Sequence, residues 1–189
     1  MEKTYQILKL LILVLLIAVL ILGAYVLYGR LSRQVQVPEA TAAQTEQELS
    51  PAPDFAFYDL EGNSHSLGEF QGQPVILNFW ASWCGPCKME MPEFQTAFEA
   101  YGEQIQFLVV NLTDGSRETV DTAHSYVEEM GYTFPVYYDS DMAGAMAYGV
   151  YAVPVTYFID GSGNLVTQAK GMLTKDTLQQ GIDLLLEEG

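Results

Sequence analysis

Val75-Ile76-Leu77-Asn78-Phe79-Trp80-Ala81-Ser82-Trp83-Cys84-Gly85-Pro86-Cys87-Lys88 contains the only two cysteines among 189 residues. The apolar run Val75 to Phe79 reads as a buried strand, followed by a tight turn and a helix that opens at the cysteine pair. A thiol at such a turn stands at the helix N-terminus, where free backbone N–H groups and the helix dipole favour an anion. That environment lowers a cysteine pKa and enriches the thiolate. Cys84 is expected to be the exposed attacker. Cys87, one turn along, is expected to close an intramolecular disulfide with it.

Other uses of a cysteine pair fit less well. A disulfide closing so short a loop stabilises less than the roughly 3 kcal/mol of a 15-residue loop, so stability alone is a poor reason for it. A zinc site needs about four ligands, and only the distant His65 and His124 are available to help. Covalent haem attachment needs a histidine directly after the second cysteine, where this chain has Lys88. A peroxidatic cysteine expects Thr or Ser three residues earlier, at Ala81. A redox-active dithiol remains the preferred reading.

Trp83-Cys84-Gly85-Pro86-Cys87-Lys88, with Pro92 five residues on, resembles thioredoxin. The wider pattern is similar to the membrane-anchored, extracytoplasmic thiol-disulfide oxidoreductases of the ResA/TlpA type. It comprises Asn78 to Trp83, Glu90-Met91-Pro92, Tyr148-Gly149-Val150 and Val153-Pro154-Val155-Thr156-Tyr157-Phe158-Ile159-Asp160. The resemblance covers about residues 51–189.

Working outward, charge excludes one class of partner. The chain carries 8 basic and 24 acidic residues, for a net charge of −16. Residues 1–50 hold four of each sign, so the whole excess lies in residues 51–189. Such a domain is repelled by phosphate backbones and anionic headgroups, which argues against nucleic acid. The acidity otherwise reads as a solvated surface.

Leu10 to Leu27 is almost wholly apolar, broken by Gly23. At 1.5 Å per residue it spans roughly 27 Å, close to the ~30 Å hydrocarbon core. Tyr5, Tyr25 and Tyr28 stand near its ends, as interfacial aromatics do. The stretch exceeds the apolar core of a signal peptide and no small-x-small site closely follows it, so an uncleaved anchor is preferred to a cleaved leader. Lys3 and Lys9 before it balance Arg30 and Arg33 after it, so the positive-inside count is tied. The resemblance implies a C-terminal domain outside the cytoplasm, so the expected organisation is a cytoplasmic segment 1–9, a transmembrane anchor 10–28, a linker 29–53 rich in Gln, Glu, Ala, Thr and Pro, and a domain 54–189.

Within that domain, Phe55 and Phe57 with a turn at Gly62-Asn63 predict an N-terminal hairpin. The helix from Cys84 should reach Tyr101, with Phe94, Ala97, Phe98 and Tyr101 facing the core and Pro92 kinking it. Ile105–Asn111 reads as a second buried strand. Ser116 is expected to cap a helix ending at Gly131. A strand over 134–138, a short helix over 141–148 and a hairpin of 155–159 with 165–170 follow. Thr174 should cap a closing helix lined by Leu178, Ile182 and Leu185. Strands alternating with helices and a closing hairpin give an α/β fold with a mixed sheet. The resemblance implies a thioredoxin-like fold, central sheet flanked by helices, with residues 114–137 as a helix–strand insertion.

The resemblance also assigns roles. It implies a cis peptide before Pro154, in a loop facing the dithiol, with the Val153 backbone pairing to a substrate's extended chain. It puts Glu90, on the same helical face as Cys87, near the site as a proton relay. Catalytic residues are therefore expected at Cys84, Cys87, Glu90 and Pro154, and substrate-binding ones at Trp83, Gly85, Pro86 and Val153. Trp83 reads as an apolar docking rim and Trp80 as core. His65 and His124 read as surface or loop residues. Neither a cofactor nor a metal is needed for dithiol exchange.

The expected clients are protein disulfides, with apocytochrome c among the family's possibilities. A membrane electron carrier of the CcdA or DsbD type is the expected donor, and the domain is expected to be monomeric on the extracytoplasmic side of a bacterial cell membrane. Gly85-Pro86 is the dipeptide of the reducing thioredoxins, whose potential is about −270 mV against about −120 mV for the oxidant DsbA. A reductase is preferred. A disulfide-forming oxidant of the same fold and a membrane-tethered binding module remain as alternatives.

Overall fold

The structure, a computed structural model, describes residues 19–23 and 49–187. Residues 19–23 are helical and exposed; the remainder of the expected anchor, and the linker up to residue 48, lie outside the described residues. Among the described residues no helix is long and apolar enough to cross a membrane. The chain divides into two units, Met1–Gln47 and Glu48–Gly189, and the second holds the sheet and the dithiol.

Eight strands form one mixed sheet: β1 Ser50–Pro51, β2 Ala56–Tyr58, β3 Ser64–Ser66, β4 Val75–Trp80, β5 Gln106–Asn111, β6 Val136–Tyr138, β7 Val155–Ile159 and β8 Asn164–Lys170, in the order β1-β8-β7-β4-β5-β6-β2-β3. β4, β5 and β6 run parallel, β7 lies antiparallel beside β4, and β8 lies antiparallel beside β7. Four α-helices, α1 Gly85–Tyr101, α2 Val120–Met130, α3 Ala143–Ala147 and α4 Lys175–Glu187, and a short 3-10 helix at Leu67–Phe70 complete the described part of the domain.

β4 has no exposed residue, and its side chains divide by the strand's period of two. Ile76 and Trp80 enter one apolar cluster with α1, α2 and α4. Val75, Leu77 and Phe79 enter another on the opposite face with Phe55, Phe57 and Leu67. An unbroken apolar strand is what a sheet covered on both faces requires. The dithiol turn leaves the C-terminal end of this best-buried strand, which holds it on a rigid base.

The predicted hairpin forms as β2 and β3, and α2 with β6 makes the helix–strand insertion between β5 and β7. α1 runs through Pro92 as one helix, burying Phe94 and Ala97. Gly131 ends α2 in the left-handed conformation, φ 69°. The Thr174 hydroxyl accepts the Thr177 N–H at the start of α4.

Other boundaries move. Ser50–Pro51, read as linker, pairs with β8 through Leu165 and Asn164, so the sheet begins before Asp54. Ser116 does not cap α2. Asp114 Oδ1 takes the N–H groups of Ser116, Arg117 and Glu118 and the Ser116 hydroxyl, and this turn delays the helix until Thr119 and Thr122 cap it reciprocally. β6 starts at Val136 rather than residue 134, because Pro135 has no N–H for a ladder.

Candidate active site

Cys84 is the N-cap of α1, in extended backbone geometry (φ −84°, ψ 109°), and its Sγ accepts the Cys87 N–H at 3.1 Å. Pro86 sits in the first turn, where a missing N–H costs nothing. The two sulfurs are bonded, S–S 2.12 Å with a Cα–Cα separation of 5.2 Å. The site is therefore an oxidised dithiol at a helix N-terminus, where one sulfur already holds a backbone donor that favours its anion once reduced.

Cys84 is less open than expected. It is 4% exposed and Cys87 is fully buried, whereas Trp83 is 43% exposed. The exposed side chain beside the pair is Trp83, and Cys84 is recessed. Trp80, as expected, is core, packed against Tyr126.

The Val153–Pro154 peptide is cis, and Val153 O lies 3.5 Å from Cys84 Sγ. This loop, 69 residues along the chain from the cysteine, faces the dithiol because β7 pairs directly with β4. Beside it lies a groove of about 230 Å³, lined by residues 149–155, Tyr157, Lys170 and Gly171. Gly171 N–H donates to Pro154 O at 2.9 Å, securing the loop from below.

Glu90 is buried on α1. One carboxylate oxygen accepts Asn78 Nδ2 at 2.9 Å and the other accepts Leu173 N–H at 2.7 Å. Asn78 Nδ2 also reaches Thr156 Oγ1 at 3.0 Å. Burial raises the Glu90 pKa to about 7, against the two hydrogen bonds that favour its charged form. A carboxyl near neutrality on the same buried face as Cys87 can take up or release a proton during exchange.

A second buried carboxylate was not legible beforehand. Glu118 is fully buried and accepts Ser82 N–H, the Ser82 hydroxyl and Asn111 Nδ2, each at 2.7 Å. It fastens the turn that carries Trp83 and Cys84 to the end of β5. The adjacent Arg117 places its guanidinium 3.7 Å from the Trp83 ring centroid. Glu118 has no periodicity or motif to mark it; its partners lie up to 36 residues away.

The structure thus brings Cys84, Cys87, Trp83, Gly85, Pro86, Val153, Pro154 and Glu90 to one place. The histidines lie elsewhere: His65 on β3 pairs with Glu69 and Asp59, and His124 on α2 pairs with Glu128. Among the described residues no group of three His, Cys, Asp or Glu side chains is placed to hold a metal ion.

Comparison with known proteins agrees with this geometry. Residues 49–168 match the family model described as "AhpC/TSA family". A thiol-disulfide oxidoreductase ResA of Geobacillus thermodenitrificans is 36% identical over 135 residues, covering 71% of this chain and 75% of that protein. The chain belongs to the AhpC/TSA family. Within it, this protein is a thiol-disulfide oxidoreductase with a thioredoxin-like α/β fold, related to the ResA proteins. The thioredoxin-like protein YneN of Bacillus subtilis is 33% identical, covering 73% of this chain and 80% of that protein. The crystal structure of StoA from Bacillus subtilis superimposes with a TM-score of 0.60 at 27% identity, covering 69% of this chain and 97% of that one.

Proposed function

We propose that this oxidoreductase acts as a membrane-anchored, extracytoplasmic reductase of protein disulfides. The observation that carries the reading is the Cys84–Cys87 pair at the N-terminus of α1, faced by Val153 O, with the near-neutral carboxyl of Glu90 on the same helix. In the dithiol state the Cys84 thiolate attacks one sulfur of a client disulfide. The client S–S bond breaks, a mixed disulfide forms, and the released client sulfur takes a proton. Cys87 then passes its proton to the Glu90 carboxylate and attacks Cys84 Sγ, the Cys84–client S–S bond breaks, and the expelled client thiolate takes up the proton that Glu90 gives back. The client leaves as a dithiol, having gained two electrons and two protons, and Cys84–Cys87 is oxidised. Trp83, Gly85, Pro86 and the Val153 backbone bind the client chain, and Pro154 sets the loop that aligns it.

With no third cysteine in the chain, a second protein must restore the dithiol, and a carrier of the CcdA or DsbD type fits that need. Apocytochrome c is the proposed client. Residues 10–28 are the proposed anchor and 29–53 the spacer, N-terminus inside and domain outside. The Gly85-Pro86 dipeptide supports reduction over oxidation.

A reduction potential measured against glutathione or dithiothreitol tests the direction: the expected value lies near about −270 mV, and one near about −120 mV makes the protein an oxidant. Turnover of insulin separates both from a binding module. In intact cells a membrane-impermeant alkylating reagent should label reduced Cys84; protection of a native, reduced Cys84 reverses the topology.

A further inference from the structure

We propose that the dithiol face is built to dock an extended client segment whose disulfide is flanked by carboxylates. The proposal rests on the reductase reading and names the class of client it prefers. The chain has 24 acidic residues, yet the segments that make this face almost lack them. From Gln71 to Met89, which carries the dithiol, there is none. From Met142 to Lys175, which carries the cis-proline loop, there is one, Asp160. It follows the last residue of β7 while Pro154 precedes the first, and six residue steps at about 3.3 Å each put it about 20 Å away.

Cations show the opposite distribution. Four basic residues lie beyond residue 50, and three of them border the site. Lys88 follows Cys87 directly, its Nζ 4.7 Å from the Tyr126 ring centroid. Arg117 stacks on Trp83. Lys170 pairs opposite Val155 and lines the groove beside Pro154. The fourth, Lys175, lies in the separate groove between α1 and α4.

None of the three is paired with a carboxylate: every ion pair among the described residues involves histidine. The nearby carboxylates offset them only in part: Glu90 and Glu118 are buried and turned onto inward donors, and Asp114, which stays ionised, directs one oxygen onto the backbone N–H groups of its own turn. A guanidinium stacked on an indole keeps its N–H edge available for a bidentate carboxylate contact.

Range decides which sign an approaching peptide feels. At about 0.15 M salt the Debye length is about 8 Å, so the three cations at the contact outweigh the distant acidic excess. Exposed charge contacts are individually weak; three together set the expected preference at about tenfold.

The test uses three disulfide-loop peptides, identical except for flanking Glu, Gln or Lys, each reduced by the full chain in its dithiol form. At about 0.15 M salt kcat/KM for the Glu peptide should exceed that for the Lys peptide about tenfold, and the ratio should approach one at about 1 M salt, where the Debye length is about 3 Å. Arg117→Gln combined with Lys170→Gln should bring the ratio near one, while Arg117→Lys and Lys175→Gln should keep it. Equal rates, or preference for the Lys peptide, with all three peptides reduced, overturns the docking proposal and leaves the reductase standing. Reduction of none overturns both.

Discussion

Replacing Glu90 by Gln should remove a slope from the pH dependence of stability. The folded carboxyl titrates at about 7 against an ordinary value of 4.5, because burial penalises its charged form. Between those pH values the folded protein keeps a proton that the unfolded chain has lost, so stability falls as pH rises through that window. A gap from 4.5 to about 7, at about 1.4 kcal/mol per pH unit, amounts to about 3 kcal/mol. Gln cannot titrate. Its amide N–H groups would face the Leu173 N–H or the Asn78 amide that now donate to the carboxylate, which costs about 1–2 kcal/mol independent of pH. Urea unfolding of the oxidised proteins from about pH 5 to about pH 8.5 separates the constant from the slope. The wild type should lose its advantage over Glu90→Gln by about 2.5 kcal/mol across that range, since the unfolded carboxyl is already mostly ionised at about pH 5. Parallel profiles would mean that Glu90 titrates as an exposed carboxylate does, and its proton-relay role would go with them.

Glu118→Ala leaves Ser82 N–H, the Ser82 hydroxyl and Asn111 Nδ2 without their acceptor; urea unfolding should show a loss of about 3 kcal/mol, and insulin reduction should slow because the turn carrying Cys84 is no longer fastened. Unchanged stability would show the three donors finding other partners. Gly181→Ala drives a Cβ into the Phe158 ring where α4 packs on β7, so thermal melts should report a loss of about 1–3 kcal/mol; a neutral result would place α4 farther from the sheet. His65 has its pKa raised by its hydrogen bond to Glu69 first and to Asp59 second, against burial. Its contribution is fully present below its ordinary value of 6.5 and is lost as pH rises through the folded value. The stability difference between wild type and His65→Gln should therefore shrink toward alkaline pH. A difference that grows would reverse the assignment of the charge.

Much of the fold was legible because it rests on neighbours a few residues apart. The apolar run at Val75 predicted the strand buried on both faces, Gly131 the end of α2, Thr174 the cap of α4, and Gly62-Asn63 the hairpin. Where the reading missed, a competing side chain had intervened: Asp114 took the N–H groups that would have made Ser116 a cap, and Pro135 shortened β6. Of the site, Cys84, Cys87, Gly85 and Pro86 needed only local reasoning, since a helix N-terminus places them. Val153, Pro154 and Glu90 needed the family resemblance as well. Glu118 and Arg117 were invisible, as their roles depend on Ser82 and Trp83, which only the packing of the 112–119 loop against the dithiol turn brings near.

The order of residues alone determined that a strand would deliver a sulfur to the first turn of a helix, because backbone hydrogen bonding and the helix dipole act within about one turn. Tertiary structure decided how deeply that sulfur is recessed, that the Val153 carbonyl faces it from 69 residues away, and that Glu90 loses its water and titrates near neutrality. Removal from solvent is a collective act of residues distant in the chain, and no local pattern records it.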